Sequence, residues 1–197
     1  MDLTVIIATY GDDTWRYMAE QDACPSAKAE ADEVILVHGA TLAQARNTGA
    51  LKAKTEWIAY LDADDELEPG FREAIAAGKG DVRVPAFRQC NPSRWPQLVT
   101  PRPCDLTTEN YVIIGSVHRR SLALEIGGFL EWPVNEDWCY WQRCWKAGAE
   151  FVVHPEAVYK VNARMGSRNR TMGTQEWNTW HRAILKHNFP ELEIQEA

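Results

Sequence analysis

Three short apolar runs lead the chain. Leu3 to Ala8 (LTVIIA), Glu33 to Val37 (EVILV) and Trp57 to Leu61 (WIAYL) each have the length and the β-branched or aromatic content of a buried strand. Between the first two, Asp13 is placed to cap a helix from Thr14 to Gln21, and Cys24-Pro25-Ser26 reads as loop. Between the second and third, Thr41 and Gln44 have capping-box spacing ahead of an alanine-rich helix that runs to Lys54. Strand, helix, strand, helix, strand in this order predicts right-handed crossovers and a Rossmann-like, mostly parallel sheet flanked by helices, an α/β fold.

The pattern loosens afterwards. A helix is expected from Pro69 to Ala77, then a strand over Asp81 to Arg88, near an edge because of Pro85. Asn91 to Pro103, with four prolines, reads as a surface loop. Val112 to Arg119 is expected as a strand, Ser121 to Ile126 as a short helix, and Glu136 to Ala147 as a tryptophan-rich helix stopped by Gly148. Two short strands, Phe151 to His154 and Ala157 to Val161, lead to a basic loop from Arg164 to Arg170 and a last helix from Gln175 to Asn188. No linker divides the 197 residues, so one domain is expected.

The third run ends in Asp62, Asp64, Asp65 and Glu66. Open α/β sheets bind ligands at the C-terminal edge of their strands. Asp62 and Asp64 share a face if the strand continues, and a divalent cation bridging them to a diphosphate would relieve their repulsion. Thr9-Tyr10-Gly11 and His38-Gly39 end the other two strands and belong to the same edge. Glu136-Asp137 opens a helix; on local grounds these acids serve either the helix N-terminus or proton abstraction from a hydroxyl.

Composition narrows the classes. A net charge of −7 and a pI near 5.3 argue against general binding of nucleic-acid backbones. No apolar stretch is long enough to span a bilayer, and the N-terminus lacks the basic and apolar regions of a signal peptide. Five cysteines without a CxxC pair suit a reducing compartment, so a cytoplasmic protein is expected. Nine tryptophans could include a stacking surface for a sugar.

Taken together, Thr4 to Tyr10, Ala45-Arg46-Asn47-Thr48-Gly49, Tyr60 to Asp65, Gly127-Gly128-Phe129 and Asn135-Glu136-Asp137-Trp138 resemble, in order, the signatures of glycosyltransferase family 2. The resemblance implies a single GT-A domain that moves a sugar from a nucleotide-diphosphate donor, most plainly a UDP-sugar, to a hydroxyl with inversion. Residues 1–89 would form the nucleotide-sugar half, 104–170 the acceptor and base half, and 171–197 a C-terminal helix. It further implies that Thr9 and Tyr10 lie against the nucleoside, with Arg46 and Asn47 near the donor. Asp64 would be the principal ligand of Mn2+ or Mg2+ on the diphosphate, and Asp62 would contact the ribose or the metal. Asp137 would be the general base with Glu136 in support, and Trp132 or Trp138 would stack on the acceptor, be it a glycan, a protein or a modified base.

Two departures stand out. His38 occupies the place where the family usually has a base-reading acid, and Arg164 the place of a histidine before Gly166-Ser167. Arginine cannot ligate a metal at neutral pH but neutralises phosphate well, so Arg164 is expected on the donor diphosphate. A nucleotidyltransferase would need a lysine-bearing glycine loop after the first strand, which Thr9 to Asp13 does not supply. A non-catalytic nucleotide- or carbohydrate-binding module on the same fold is the remaining alternative.

Overall fold

The computed structural model describes residues 1–91, 93–162 and 174–192. A sheet in the order β2-β1-β3-β7-β5-β8-β4, with β6 attached to β5, runs through the molecule. Its strands are β1 (Leu3–Tyr10), β2 (Glu33–Gly39), β3 (Trp57–Leu61), β4 (Glu66–Leu67), β5 (Val82–Asn91), β6 (Arg94–Val99), β7 (Val117–Arg119) and β8 (Phe151–Asn162). β1 pairs in parallel with β2 and β3, and β5 with β8; β7, β4 and β6 run the other way.

The first half follows the hydrophobic pattern closely. β1 and β3 are buried along nearly their whole length, as central strands of an α/β layer must be. Helix α1 (Asp13–Met18) is capped by Asp12, whose side chain accepts from the Thr14 amide; the expected cap was Asp13, one residue later. A π-helical turn (Ala19–Ala23) leads into α2 (Cys24–Glu30), where a loop was expected. Pro25 sits in the first turn of α2, where its missing N–H would have had no helical partner anyway. Helix α3 (Leu42–Lys52) starts as its capping box predicts. Thr41 Oγ1 accepts from the Gln44 amide at 3.1 Å, and Gln44 Oε1 accepts from the Ala40 amide at 2.9 Å.

α3 lies close on β1 because Gly49 faces Ile6: a Cβ there would stand 2.2 Å from Ile6 Cγ2. After β4, α4 (Phe71–Ala76) buries Phe71 and Ile75.

The second half departs further from expectation. β5 is an internal strand, not an edge. Pro85 fits there because it falls at the register shift between β5 and β8, beyond β7 (whose pairing ends at Arg83) and short of β6 (whose pairing starts at Phe87). Arg94–Val99, within the expected proline-rich loop, is a strand hydrogen-bonded to β5. The expected Val112 to Arg119 strand is reduced to Val117–Arg119, preceded by a turn in which the Ser116 amide bonds Ile113 O. The two short strands after residue 150 are one bulged strand, β8. Helices α5 (Arg120–Glu125), α6 (Glu136–Lys146) and α7 (Thr174–Asn188) are the remaining helices among the described residues.

α6 carries the aromatic core under β3. Tyr140 stacks on Phe129 at 4.1 Å, and Tyr60 meets both rings edge-on. His118 of β7 sits among them, its Nε2 2.7 Å from Tyr140 Oη and its Nδ1 3.2 Å from Ser116 O. All five cysteines are free thiols.

Candidate active site

The strand register gathers the sequence features at one edge. Thr9 pairs with His38 and Tyr10 with Gly39, while Ile7 pairs with Leu61, the residue before Asp62. Thr9 is buried, and its hydroxyl lies 3.0 Å from His38 Nδ1. It therefore orients His38 and does not itself face a ligand, as had been expected of it. His38 is exposed and Tyr10 half-buried. A cleft of about 190 Å³ opens beside them, lined by Tyr10, Thr41, Leu42, Leu130, Trp132 and Glu136 among others. Thr41 closes one end by a hydrogen bond to Glu131.

The acidic turn is held from behind by β8. The Asp65 amide bonds Asp62 O at 3.1 Å, which folds 62–65 into a turn. Tyr159 Oη accepts from the Asp62 amide at 3.2 Å and donates to Asp65 Oδ2 at 2.9 Å. Asn162 gives its amide to Asp65 Oδ1 and its side-chain NH₂ to Asp64 O. Gly115 makes room for the Tyr159 ring, since a Cβ would lie 2.0 Å from Cδ2. Asp65 is buried, and burial together with the Asp62 and Asp64 charges pushes its carboxyl well above the usual carboxylate range. Asp62 and Asp64 are the half-buried pair left at the edge.

Arg46 ties this turn to α6. Its side chain is 3% exposed, with Nη2 2.9 Å from Asp62 Oδ1 and Nη1 3.2 Å from Glu136 Oε1. The Phe129 ring lies 4.8 Å away under the guanidinium. Burial works against its charge, but Asp62 and Glu136, with Asp137 behind them, more than offset this and keep it protonated. The motifs at 45–49 and 127–129 are also locked together. Asn47 Nδ2 donates to Phe129 O at 2.9 Å and its Oδ1 accepts from the Phe129 amide at 2.7 Å.

Asp137 is the second residue of α6, whose N-cap is Asn135, a left-handed residue at φ 56°, the one non-glycine with positive φ among the described residues. Asp137 Oδ1 accepts from the Trp138 amide and Oδ2 from Asn110 Nδ2 at 3.3 Å. Desolvation, then the Glu136 charge, push the Asp137 carboxyl up to about 6, against the pull of Arg46. A carboxylate so tuned is a serviceable base near neutrality.

Trp138 is 2% exposed, and its indole N–H donates to Leu106 O at 2.7 Å, with His181 stacked on it at 4.1 Å. Enclosed in this way it cannot stack on an acceptor, contrary to expectation. Trp132 is half-buried and does line the cleft, against Trp180 and His187 of α7. Arg164 lies outside the described residues. Asn110, Phe129 and Asn162 belong to the site although nothing in the sequence marked Asn110 or Asn162; each lies in a segment without a motif.

Among the described residues no group of three or more His, Cys, Asp or Glu side chains stands ready for a metal. The pair Asp62 and Asp64 offers oxygen donors only, which fits a hard cation that draws its other ligands from phosphate and water.

Residues 5–100 match the model of glycosyl transferase family 2. Among solved structures, that of S. aureus TarS 1-349 in complex with UDP-GlcNAc has a TM-score of 0.66 at 16% identity, over 100% of this chain and 68% of that one. The same TarS fragment in complex with UDP has a TM-score of 0.61 at 14% identity, again over 100% and 68%. GalNAc-T7 with UDP, GalNAc and Mn2+ has a TM-score of 0.57 at 14% identity, over 94% of this chain and 48% of that one. At these identities the likeness is one of fold, and the fold is GT-A. No curated protein sequence matches the chain.

Proposed function

We propose that the chain is a glycosyltransferase of family 2 type, as the match over residues 5–100 supports, and that it transfers a hexose from a UDP-sugar to an acceptor hydroxyl, with inversion at the anomeric carbon. One observation carries the reading. Arg46 joins Asp62, at the end of β3, to Glu136, beside Asp137 at the start of α6, so that donor-side carboxylates and a base share one buried cation.

In this reading the half formed by 1–89 holds the donor. Tyr10 packs on the nucleoside, and His38, fixed by Thr9, meets the edge of the base. Asp64, with Asp62, would hold Mn2+ or Mg2+; when bound, the ion would neutralise the donor diphosphate and ease its departure. Arg46 keeps Asp62 oriented and brings a positive charge toward the phosphates. Arg164, outside the described residues, would add a second. The structures of TarS with UDP-GlcNAc and of GalNAc-T7 with UDP and Mn2+ support the choice of donor and ion.

The half formed by 104–170 holds the acceptor. Asp137 takes the proton from the attacking hydroxyl, Asn110 holds the far carboxylate oxygen, and Glu136 keeps Arg46 in place. Trp132, on the cleft wall, covers the acceptor sugar. No helix among the described residues is long and apolar enough to cross a membrane, and five free thiols suit a reducing, cytoplasmic setting.

The test is thermal stability against UDP-, GDP- and dTDP-sugars, with and without Mn2+, for the wild type, Asp64→Ala and Asp137→Asn. Ligands that bind the folded state raise the melting temperature by mass action. A metal-dependent rise with UDP-sugars is expected, lost in Asp64→Ala and kept in Asp137→Asn. A rise with another nucleotide alone would overturn the donor assignment, and a rise independent of metal and of Asp64 would overturn the ion's role.

A further inference from the structure

Glu131 lines the cleft beside Trp132 but has no part in the chemistry proposed above. Consecutive residues of a strand would face opposite ways. These two lie in no strand: the Trp132 amide bonds Leu130 O at 3.0 Å, which folds the segment into a tight turn. Leu130, Glu131 and Trp132 all border the same cavity of about 190 Å³, and Glu136, the neighbour of Asp137, is in its wall.

The Glu131 carboxylate is exposed yet held in place. Thr41 caps α3 by accepting from the Gln44 amide, and its one hydroxyl proton goes to Glu131 Oε1. That is the only hydrogen bond of the Glu131 side chain among the described residues. A carboxylate has about four lone-pair sites, so Oε2 and a second site on Oε1 are left for hydroxyl donors that enter the cleft.

The neighbouring indole is held in the same manner. Trp180 and His187 of α7 meet the Trp132 ring at interplanar angles of 70°, so both brace it and neither lies flat on it. Trp132 is half-buried by these contacts and still borders the cavity. One turn thus presents a fixed hydrogen-bond acceptor and a fixed aromatic surface to the same space, next to the base.

We propose that the acceptor is an uncharged sugar, whose ring lies against Trp132 while two of its hydroxyls donate to Glu131. This rests on the transferase reading above and names the class of its acceptor. A sugar ring supplies both halves of the match, an apolar C–H face for the indole and adjacent O–H donors for the carboxylate. A serine or threonine side chain would bring one hydroxyl and no ring. A uronic acid or a phosphorylated sugar would set a second negative charge against Glu131, and a nucleic-acid backbone would do the same. Glu131 therefore both reads the acceptor and excludes its acidic counterparts.

Isothermal titration of the full chain with UDP and Mn2+, and then with methyl glycosides on the same samples, tests this. The probes are the methyl glycosides of glucose, galactose and mannose, each beside its uronic acid counterpart. At least one neutral glycoside is expected to bind, at least about tenfold more tightly than its counterpart. Glu131→Ala should weaken that binding about tenfold with UDP affinity unchanged. Glu131→Gln keeps the shape and an oxygen for Thr41 but loses the charge. It should let the uronic counterpart bind more tightly than it binds the wild type, a gain that a merely structural role for Glu131 would not produce. Uronic binding as tight as neutral binding, neutral binding unchanged in Glu131→Ala, no uronic gain in Glu131→Gln, or no glycoside binding at all would each overturn the proposal. Failure of the wild type to bind UDP would instead overturn the donor reading, and Glu131-dependent glycoside binding would still support the cleft assignment.

Discussion

The Arg46 guanidinium stands between Asp62 and Glu136, 2.9 Å from the first carboxylate and 3.2 Å from the second. Taking one partner from a wholly buried pair costs about 3–5 kcal/mol. Asp62 is partly open to water, so Arg46→Met is expected to cost less, about 2–3 kcal/mol in urea unfolding. Arg46→Lys retains a charge but not the fork, and can serve only one of the two acids well. It is expected to fold and to lose most transfer, with weakened UDP binding by titration calorimetry. Full activity in Arg46→Lys would show that the bridge is dispensable.

Asp137, raised to about 6, sets a pH profile. The base is competent only when ionised, so the transfer rate is expected to rise with pH through about 6 and level off above it. Because Arg46 pulls this carboxyl down, Arg46→Met should move the rising limb to higher pH. Asp137→Asn should cost about 10²–10⁴-fold in rate at unchanged UDP affinity, and its residual activity should lack the limb. A rising limb that persists in Asp137→Asn would assign the proton transfer to another group.

Much of this site was legible in the sequence because its parts end regular elements. Apolar runs of strand length place Thr9, His38 and Asp62, and parallel pairing of consecutive strands must bring their ends together. Arg46 falls on the buried side of an alanine-rich helix, where its charge requires acids, and the strand-end Asp62 and the helix-start Glu136 supply them. The second half resisted for a physical reason. β6 has both faces in water and so lacks the pattern that marks a strand; β5 alternates, but Pro85 pointed to an edge, and of the strand expected from Val112 only Val117–Arg119 pairs in the sheet. The burial of Trp138 was equally hidden: helical spacing does not tell which of the neighbouring tryptophans Leu106 O will claim.

His118 ties stability to pH. Burial, against a bond to Ser116 O, lowers its pKa from 6.5 to about 4. The ring is neutral in the fold, donating from Nδ1 to Ser116 O and accepting the Tyr140 hydroxyl at Nε2. Unfolded chains take up a proton below about 6.5. Stability from this group is therefore complete above that pH and is lost as pH falls toward 4, by up to about 3 kcal/mol. Unfolding free energies from urea titrations at pH 7.5, 6 and 4.5 should show the decline. His118→Gln should begin less stable at pH 7.5 and decline less.

Gly127 and Gly128 both have positive φ, 75° and 74°, yet they should respond differently to alanine. A Cβ on Gly127 meets nothing nearer than Arg143 Nη2 at 3.7 Å, an ordinary contact. Gly127→Ala then carries only the backbone penalty, about 1 kcal/mol, with transfer retained. A Cβ on Gly128 would stand 2.3 Å from Asn47 Oδ1, and Asn47 holds both the N–H and the C=O of Phe129. Moving Asn47 frees Phe129, whose ring lies under Arg46 and stacks on Tyr140. Gly128→Ala is therefore expected to cost about 2–4 kcal/mol, the backbone penalty plus overpacking, and to lose transfer even in the population that remains folded. Urea unfolding and single-turnover rates on the two variants side by side separate these effects. Equal losses in both would mean that the Asn47–Phe129 lock does not reach the site.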